Sequence, residues 1–351
     1  MRNGNGQRHT DGGARMREAA ASRRGGRVVG SPGARAAAPT GTAAGASHAG
    51  SSRGSLLASA RPSRRLAVFG GLALAILAIA LVGPLASPYD PVATDYAAAF
   101  VQPSAAHWFG CDEMGRDTFS RVLSGARISV LLSLVAVALP LVIGTVVGSV
   151  SAQLGGAADA VFMRIADMFQ AFPEIVLAVA IVGVAGPGLW NVVLAIFVVT
   201  WAKYARLARS LVLGLKESGF VATARMSGAS TAQIVFRHEL PHLVPQLLIM
   251  AVLDLGYVIL AIASMSFLGL GIQQPTPEWG AMLSEARSYF GTDPALMVFP
   301  GLAIFVTVLV VNLFGSALAE RLGQGRSDVT RLRASSEGDA ALDVREREGA
   351  L

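Results

Sequence analysis

The chain has 351 residues, of which 53% are hydrophobic and only 15% charged, and its mean hydropathy is +0.53. Soluble domains carry about 25% charged residues, so the composition excludes an ordinary soluble enzyme and argues against disorder as the main state. The net charge of +6 is uneven: residues 1–65 hold 12 Arg against Asp11 and Glu18, a local charge of +10, which leaves −4 on the remaining 286 residues. The single cysteine, Cys111, excludes an internal disulfide framework.

Residues 1–65 are mostly Gly, Ala, Ser and Arg, with few large apolar side chains. Such a segment cannot bury enough surface to offset chain entropy and is expected to be disordered. It suits a solvated cytoplasmic arm beside anionic lipid headgroups better than a nucleic-acid ligand. Ser63-Arg64-Arg65 before an apolar run imitates a twin-arginine export signal, but 62 residues precede it and further apolar runs follow. Leu66 to Leu85 is therefore expected to be an uncleaved first span.

Five more apolar stretches follow: Ile128 to Val150, with Gly144 and Gly148 as a GxxxG pair; about Ala160 to Val184, containing Pro173; about Leu189 to Ala205; about Leu243 to Leu268, carrying Asp254; and Leu296 to Leu318. Each is long enough to cross, or nearly cross, a hydrocarbon layer that takes roughly 20 helical residues. In lipid the backbone must satisfy its own hydrogen bonds, so the spans are expected to be helices, giving an all-α membrane protein with six transmembrane helices. The expected organisation is a 1–65 arm, a first helix and external loop over 66–127, a five-helix core over 128–318, and a polar cytoplasmic tail over 319–351.

Loop charges set the orientation. The arm has 12 basic residues, the loop between the fourth and fifth spans has six (Lys203, Arg206, Arg209, Lys216, Arg225, Arg237), and the tail has six more. The loop between the third and fourth spans has none, and that between the fifth and sixth has only Arg287. Both termini and the 203–242 loop are thus expected on the cytoplasmic side. In the first external loop, Asp112, Arg116 and Asp117 are expected to tie the chain down through ion pairs and caps. Asp159, Arg164 and Asp167 are spaced for local ion pairing along one helix.

The 203–242 loop is the most informative stretch. Apolar positions Leu211, Leu215, Phe220 and Val221 give a partly amphipathic helix up to about Met226. Gly228 supplies a left-handed helix stop. Ser230-Thr231-Ala232-Gln233 has the form of a capping box opening a second helix, expected to end or kink near Pro241. A helix, a Gly turn and a short helix carrying cations and a few exposed apolar groups suit insertion into a groove of another subunit.

This loop resembles the EAA loop of bacterial ABC importer permeases, whose pattern is EAA, three residues, Gly, nine residues, then I-x-L-P. Ala222-Thr223-Ala224 stands in the EAA place, Gly228 follows after three residues, and after nine more come His238, Glu239, Leu240 and Pro241. The spacing is complete, although Ala222 replaces the usual Glu and Thr223 the middle Ala. HWFGCDEMGRDTFSRVLSGARIS from His107, DMFQAFPEIVLA from Asp167 and SFLGLGIQQPTPEWG from Ser266 resemble the C-type permeases of dipeptide, oligopeptide and nickel importers. Cys111 stands where Thr is expected, and Ile262 where that branch often has Glu. The resemblance covers about Ala67 to Leu322.

The resemblance implies a MetI-like permease core that moves a solute, peptides foremost and nickel or another small solute as the alternative, across the bacterial cytoplasmic membrane. It implies a second homologous permease, ATP-binding subunits that carry the ATP and Mg, and an external solute-binding protein, with no cofactor or catalytic residue on this chain. ATPase coupling would fall to Ala222, Thr223, Ala224, Arg225, Gly228, His238, Leu240 and Pro241. The sequence agrees on the energy source: a phosphate loop needs Lys after Gly, whereas Lys203 follows Ala202 and Lys216 follows Leu215.

Two other classes are open. Asp254, an acid deep within a span, marks either a translocation pathway or an interhelix polar contact; in an ion-coupled secondary carrier it would be the ion site. His238-Glu239-Leu240-Pro241-His242 is a literal H-E-x-x-H, the zinc pattern of metalloproteases. Pro241, however, disturbs the helix that the two imidazoles would need. His107 with Cys111, Asp112 and Glu113 resembles a metal cluster, but a structured external loop accounts for the same residues.

Overall fold

The computed structural model describes residues 64–349, with the backbone alone from 324 onward and at Phe220, Ala222 and Arg225. The arm expected over 1–65 lies, but for its last two residues, outside the described residues. Ten α-helices follow in order among the described residues: α1 (Arg64–Val82), α2 (Thr118–Leu154), α3 (Gly156–Gln170), α4 (Glu174–Ala185), α5 (Leu189–Lys216), α6 (Gly219–Met226), α7 (Thr231–Ile234), α8 (Leu240–Phe267), α9 (Trp279–Ala286) and α10 (Ala295–Gly349). Pairing of β type is confined, in the same residues, to one isolated bridge between Cys111 and Asp117.

Five continuous helical stretches are long and apolar enough to cross a membrane: Arg64–Leu85, Thr118–Leu154, Leu189–Lys216, Thr231–Phe267 and Ala295–Gly323. The expected third span is not one helix. It breaks between Gln170 and Glu174, where α3 and α4 meet at 87°. Pro173 provides the break, since the residue before a proline is pushed out of the helical region and the ring continues no helix behind it. With its 12 residues, α4 rises only about 18 Å, short of a hydrocarbon core of about 30 Å. In place of the expected third transmembrane helix the described residues thus hold a bent pair, beside five continuous spans.

α5 is the centre of the assembly. Some 56% of its most apolar window is buried, against 11% for α1 at the periphery. The close neighbour of α5 is α2, and small residues set the distance between them. A methyl added at Gly148 would sit 2.1 Å from the Ala205 carbonyl oxygen, and one added at Gly144 would sit 2.5 Å from that of Trp201 and 2.7 Å from Tyr204 Cβ. The two backbones touch where the GxxxG pair removes the side chains. Val192, Val193, Ile196, Val199, Leu243, Leu247 and Val258 fill the space around this contact.

Two ends of the bundle can be told apart by their contacts. At one end, Lys216 Nζ donates to the Ala152 carbonyl at 2.7 Å, Gln153 reaches Glu239 and Arg65 approaches Glu320 at 4.0 Å. At the other, the 86–117 segment packs with α9. The N-cap residue of α9, Glu278, is buried; its carboxylate takes the amides of Gly280 and Ala281 at 2.9 Å each and the Ser129 hydroxyl of α2 at 3.1 Å. Trp279 Nε1 donates to the Val122 carbonyl at 2.9 Å, so α9 is pinned flat against α2.

The local ion pairing expected within α3 does not form. Asp159 pairs instead with Arg209 of α5, with contacts of 2.6 and 2.5 Å, and takes the Ser151 hydroxyl at 2.5 Å. Asp167 reaches Arg206 of α5 at 3.5 Å. The acids of α3 face a basic stripe on α5, and a cation on another helix competes better than one on the same helix because it also fixes the position of α3.

The glycine contact yields a test. Gly148→Ala should cost at least about 1–3 kcal/mol of stability by overpacking, read as a lower thermal midpoint of the detergent-solubilised protein. Gly71→Ala in α1, where an added methyl meets nothing within 4 Å, should leave that midpoint unchanged or slightly raised. Equal behaviour of the two variants would refute close α2–α5 contact.

Candidate functional site

The segment between α5 and α8 is built from local signals. α6 ends in a Schellman-type turn: the Ala229 amide reaches the Ala224 carbonyl at 3.1 Å, and Gly228 sits at φ +83°, where a glycine costs nothing and a β-branched residue is strained. Thr223 and Ser227 return their hydroxyls to the carbonyls four residues back, each at 2.9 Å. Ser230 then opens α7 with a complete capping box. Its hydroxyl accepts the Gln233 amide at 3.3 Å, and its own amide donates to Gln233 Oε1 at 2.9 Å.

The helix does not end near Pro241, although the α register is interrupted just before it. Val235–Glu239 forms a π-helical segment that continues into α8. The Leu240 amide bonds the Val235 carbonyl, five residues back. A π turn shifts the pairing by one residue, which lets the register step past the proline's missing N–H. α7, the π segment and α8 thus form one unbroken stretch from Thr231 to Phe267.

Burial sorts the residues of this element. Val221, Ile234 and Leu243 are buried and anchor it. Met226 and Phe236 are exposed, at 81% and 71%, an unusual state for large apolar side chains beside Thr223, Ser227 and Gly228, which are also exposed. Leu240 and His238 are half-buried and Pro241 is exposed. The element presents a small apolar and polar surface on a firmly capped scaffold.

The H-E-x-x-H residues do not converge. The Glu239 carboxylate is buried, and both its oxygens accept from Gln153 Nε2 of α2, at 2.9 and 2.7 Å. His242 Nδ1 contacts the His238 backbone carbonyl at 2.7 Å. The geometry uses Glu239 as a strut between α2 and the π segment, which leaves no carboxylate aimed at a site between the imidazoles.

Asp254 lies at an interhelix contact. The Tyr204 hydroxyl of α5 donates to its Oδ2 at 2.6 Å, and Lys203 Nζ approaches the same oxygen at 3.0 Å. Lys203 also stands over the Tyr257 ring, 5.7 Å from its centroid. Paired in this way, the acid joins α5 to α8 halfway along the bundle.

At the opposite end, the 86–117 segment is held by a buried charge cluster. The guanidiniums of Arg116 and Arg121, each 1% exposed, both reach Glu285 Oε2 of α9, at 2.9 and 2.8 Å. Arg116 also holds Asp112 at 2.6 Å and Glu113 at 3.3 Å. Asp112 further accepts the Met114 and Arg116 amides, both at 2.9 Å, closing a tight turn. Burial, reinforced by the Glu113 and Asp112 carboxylates, raises the Glu285 carboxyl above its ordinary range, although Arg121 and Arg116 pull the other way. Burial, with Asp117 and Asp112 nearby, pushes the Cys111 thiol up to about 11.

The expected tie through Asp112, Arg116 and Asp117 is therefore present, but its keystone, Glu285, was not singled out by the sequence. It lies 169 residues from Arg116, and no spacing rule joins them. Gln153 was missed for the same reason, whereas Glu278 sits inside the SFLGLGIQQPTPEWG run, where an acid before a helix start is a capping signal.

Comparison with known proteins places these features. Residues 141–327 match the family described as "Binding-protein-dependent transport system inner membrane component". The chain is 44% identical over 265 residues to the nickel transport system permease protein NikC of Escherichia coli (strain K12), covering 75% of this chain and 95% of that one. It is 43% identical over 261 residues to the glutathione transport system permease protein GsiD of Pectobacterium atrosepticum, covering 74% and 87%. It is 42% identical over 247 residues to the probable D,D-dipeptide transport system permease protein DdpC of Escherichia coli (strain K12), covering 70% and 83%.

The charge cluster can be tested by an asymmetry. It holds three carboxylates against two guanidiniums, so Glu285→Gln leaves two of each, while Arg121→Met leaves three acids around one Arg. Arg121→Met should cost about 3–5 kcal/mol, the usual penalty for stranding buried charge, and Glu285→Gln markedly less. Thermal unfolding in detergent measures both; equal losses would contradict the charge balance.

Proposed function

The chain belongs to the family of binding-protein-dependent transport system inner membrane components, and on that premise we propose that it forms the peptide pathway of an ATP-driven importer. As an ABC importer permease it is a multi-pass inner-membrane subunit rather than an enzyme, and ATP hydrolysis belongs to separate subunits. A partner permease completes the membrane part. In the proposed arrangement an external solute-binding protein delivers di- or oligopeptides to the end formed by 86–117 and α9. Both termini and α6–α7 face the cytoplasm, a reading supported by Arg206, Arg209 and Lys216 near that end.

The observation that carries the reading is the capped α6–Gly228–α7 element, which exposes Met226 and Phe236 and runs without a break into α8. A groove on an ATPase subunit would take these side chains. The proposed contact set is Ala222, Thr223, Ala224, Arg225, Gly228, His238, Leu240 and Pro241. Closure of the ATPase pair would then bias the permease between two packings, with the Gln153–Glu239 strut carrying displacement into α2 and the Asp254 contact joining α5 to α8. Peptide cargo is supported by the names of GsiD and DdpC. The similarity to NikC favours nickel as the second reading.

Reconstitution of the complete importer in liposomes tests both parts. ATP-dependent uptake of a dipeptide is expected; nickel uptake without peptide uptake would establish the second reading, and vectorial uptake by this chain alone would overturn the importer assignment. Gly228→Val strains a left-handed turn by about 1–2 kcal/mol and should lower the population of the coupling-competent turn about tenfold. Uptake should fall accordingly while the complex still assembles. Normal uptake in that variant would remove Gly228 from the coupling path.

A further inference from the structure

We propose that His107, Cys111 and Asp117 form a three-ligand site for a borderline-soft divalent cation of the zinc type. One donor atom from each, an imidazole nitrogen, the thiol sulfur and a carboxylate oxygen, lie within 4.8 Å of one another, and among the described residues this is the group of three such side chains that converges. The site lies outside the transport reading above and does not depend on it.

The backbone positions the donors before any ion arrives. Cys111 and Asp117 are partners in the isolated antiparallel bridge, and the Thr118 amide bonds the Gly110 carbonyl at 3.0 Å. The Gly110 amide in turn bonds the His107 carbonyl at 3.0 Å, and the Cys111 amide bonds Val101 at 2.9 Å. Three ligands from an eleven-residue segment are thus tied by main-chain bonds that owe nothing to a metal.

Asp117 divides its two oxygens. Oδ2 is the helix cap of α2, accepting the Ser120 amide at 2.8 Å and its hydroxyl at 2.7 Å. Oδ1 meets His107 Nδ1 at 2.9 Å, so this oxygen can take an ion without uncapping the helix. Zinc bonds of about 2.0–2.3 Å hold tetrahedral ligand atoms roughly 3.3–3.7 Å apart. The His107–Asp117 contact must open by about half an ångström and the widest spacing close by about one, which rotamer adjustment supplies. Asp117 also borders a cavity of about 410 Å³ shared with Tyr89 and Trp108.

The donor set selects the ion. A thiolate beside an imidazole disfavours magnesium and calcium, which take oxygen ligands, and suits zinc, cobalt, nickel or copper. On binding, the Cys111 sulfur releases its proton to solvent, and the imidazole keeps its hydrogen on Nε2 while Nδ1 takes the metal. With Thr or Ser at 111, His107 and Asp117 would be an ordinary hydrogen-bonded pair; the thiol turns that pair into a chelate.

Cobalt(II) titration of the untagged, full-length protein in detergent provides the test, because a sulfur-to-cobalt charge-transfer band in this chain can come only from Cys111, its single cysteine. The expected result is such a band saturating near one equivalent, displaced by zinc, lost in Cys111→Ser and weakened at least about tenfold in affinity in His107→Gln. Zinc should also raise the thermal midpoint of the wild type but not of Cys111→Ser. Absence of the band in the wild type, or its survival in Cys111→Ser, overturns the proposal, and the wild-type measurement alone decides it should a variant fail to fold.

Discussion

The approach of α2 to α5 at Gly144 and Gly148 is the constraint on which the rest of the bundle depends. Lipid offers apolar side chains as good a home as the protein interior does, so a membrane bundle coheres through close backbone packing and polar contacts. With no side chain between them, the two helices meet backbone to backbone at Ala205. That depth sets where Tyr204 and Lys203 stand relative to Asp254, and it brings Ala152 and Gln153 to the end of the bundle where Lys216 and Glu239 receive them. A wider spacing would leave each of these polar groups short of its partner.

The two ends of the molecule use polar groups differently. At the 86–117 end, Asp112, Arg116 and Arg121 are buried with the Glu285 carboxylate and, with half-buried Glu113, fix a loop to α9. Such a cluster is costly to desolvate, and its use is geometric: it specifies one arrangement and penalises others. At the opposite end the basic stripe of α5 meets α3 through Asp159 and Asp167 with more exposure. One end thus buries its charges in a single cluster, and the other leaves its ion pairs more exposed.

What the sequence disclosed and what it concealed follow from range. Gly228, Ser230 and Gln233 act within a few residues, and the turn and capping box were legible because their partners are neighbours. The spans were legible because apolar length alone specifies them. The bend at Pro173 was visible as a residue but not as an angle, since α3 is held across α5 by Arg206 and Arg209, more than 35 residues away. Glu285 and Gln153 were invisible for the same reason. Pro241 was legible as a disturbance of the α register but not in its form, because the π turn before it has no simple sequence mark.

The unbroken run from Thr231 to Phe267 has a mechanical consequence. Because the stretch stays helical from its exposed foot to its membrane shaft, a push on Phe236 would be passed along it to the place where Leu243 and Leu247 are buried. From Leu247 to Asp254 the axis rises about 10 Å, so a tilt of about six degrees there would carry the far carboxylate sideways by about 1 Å. A step of that size would act directly on the 2.6 Å bond between Tyr204 and Asp254, so a lean of the foot would be felt where α5 and α8 are joined.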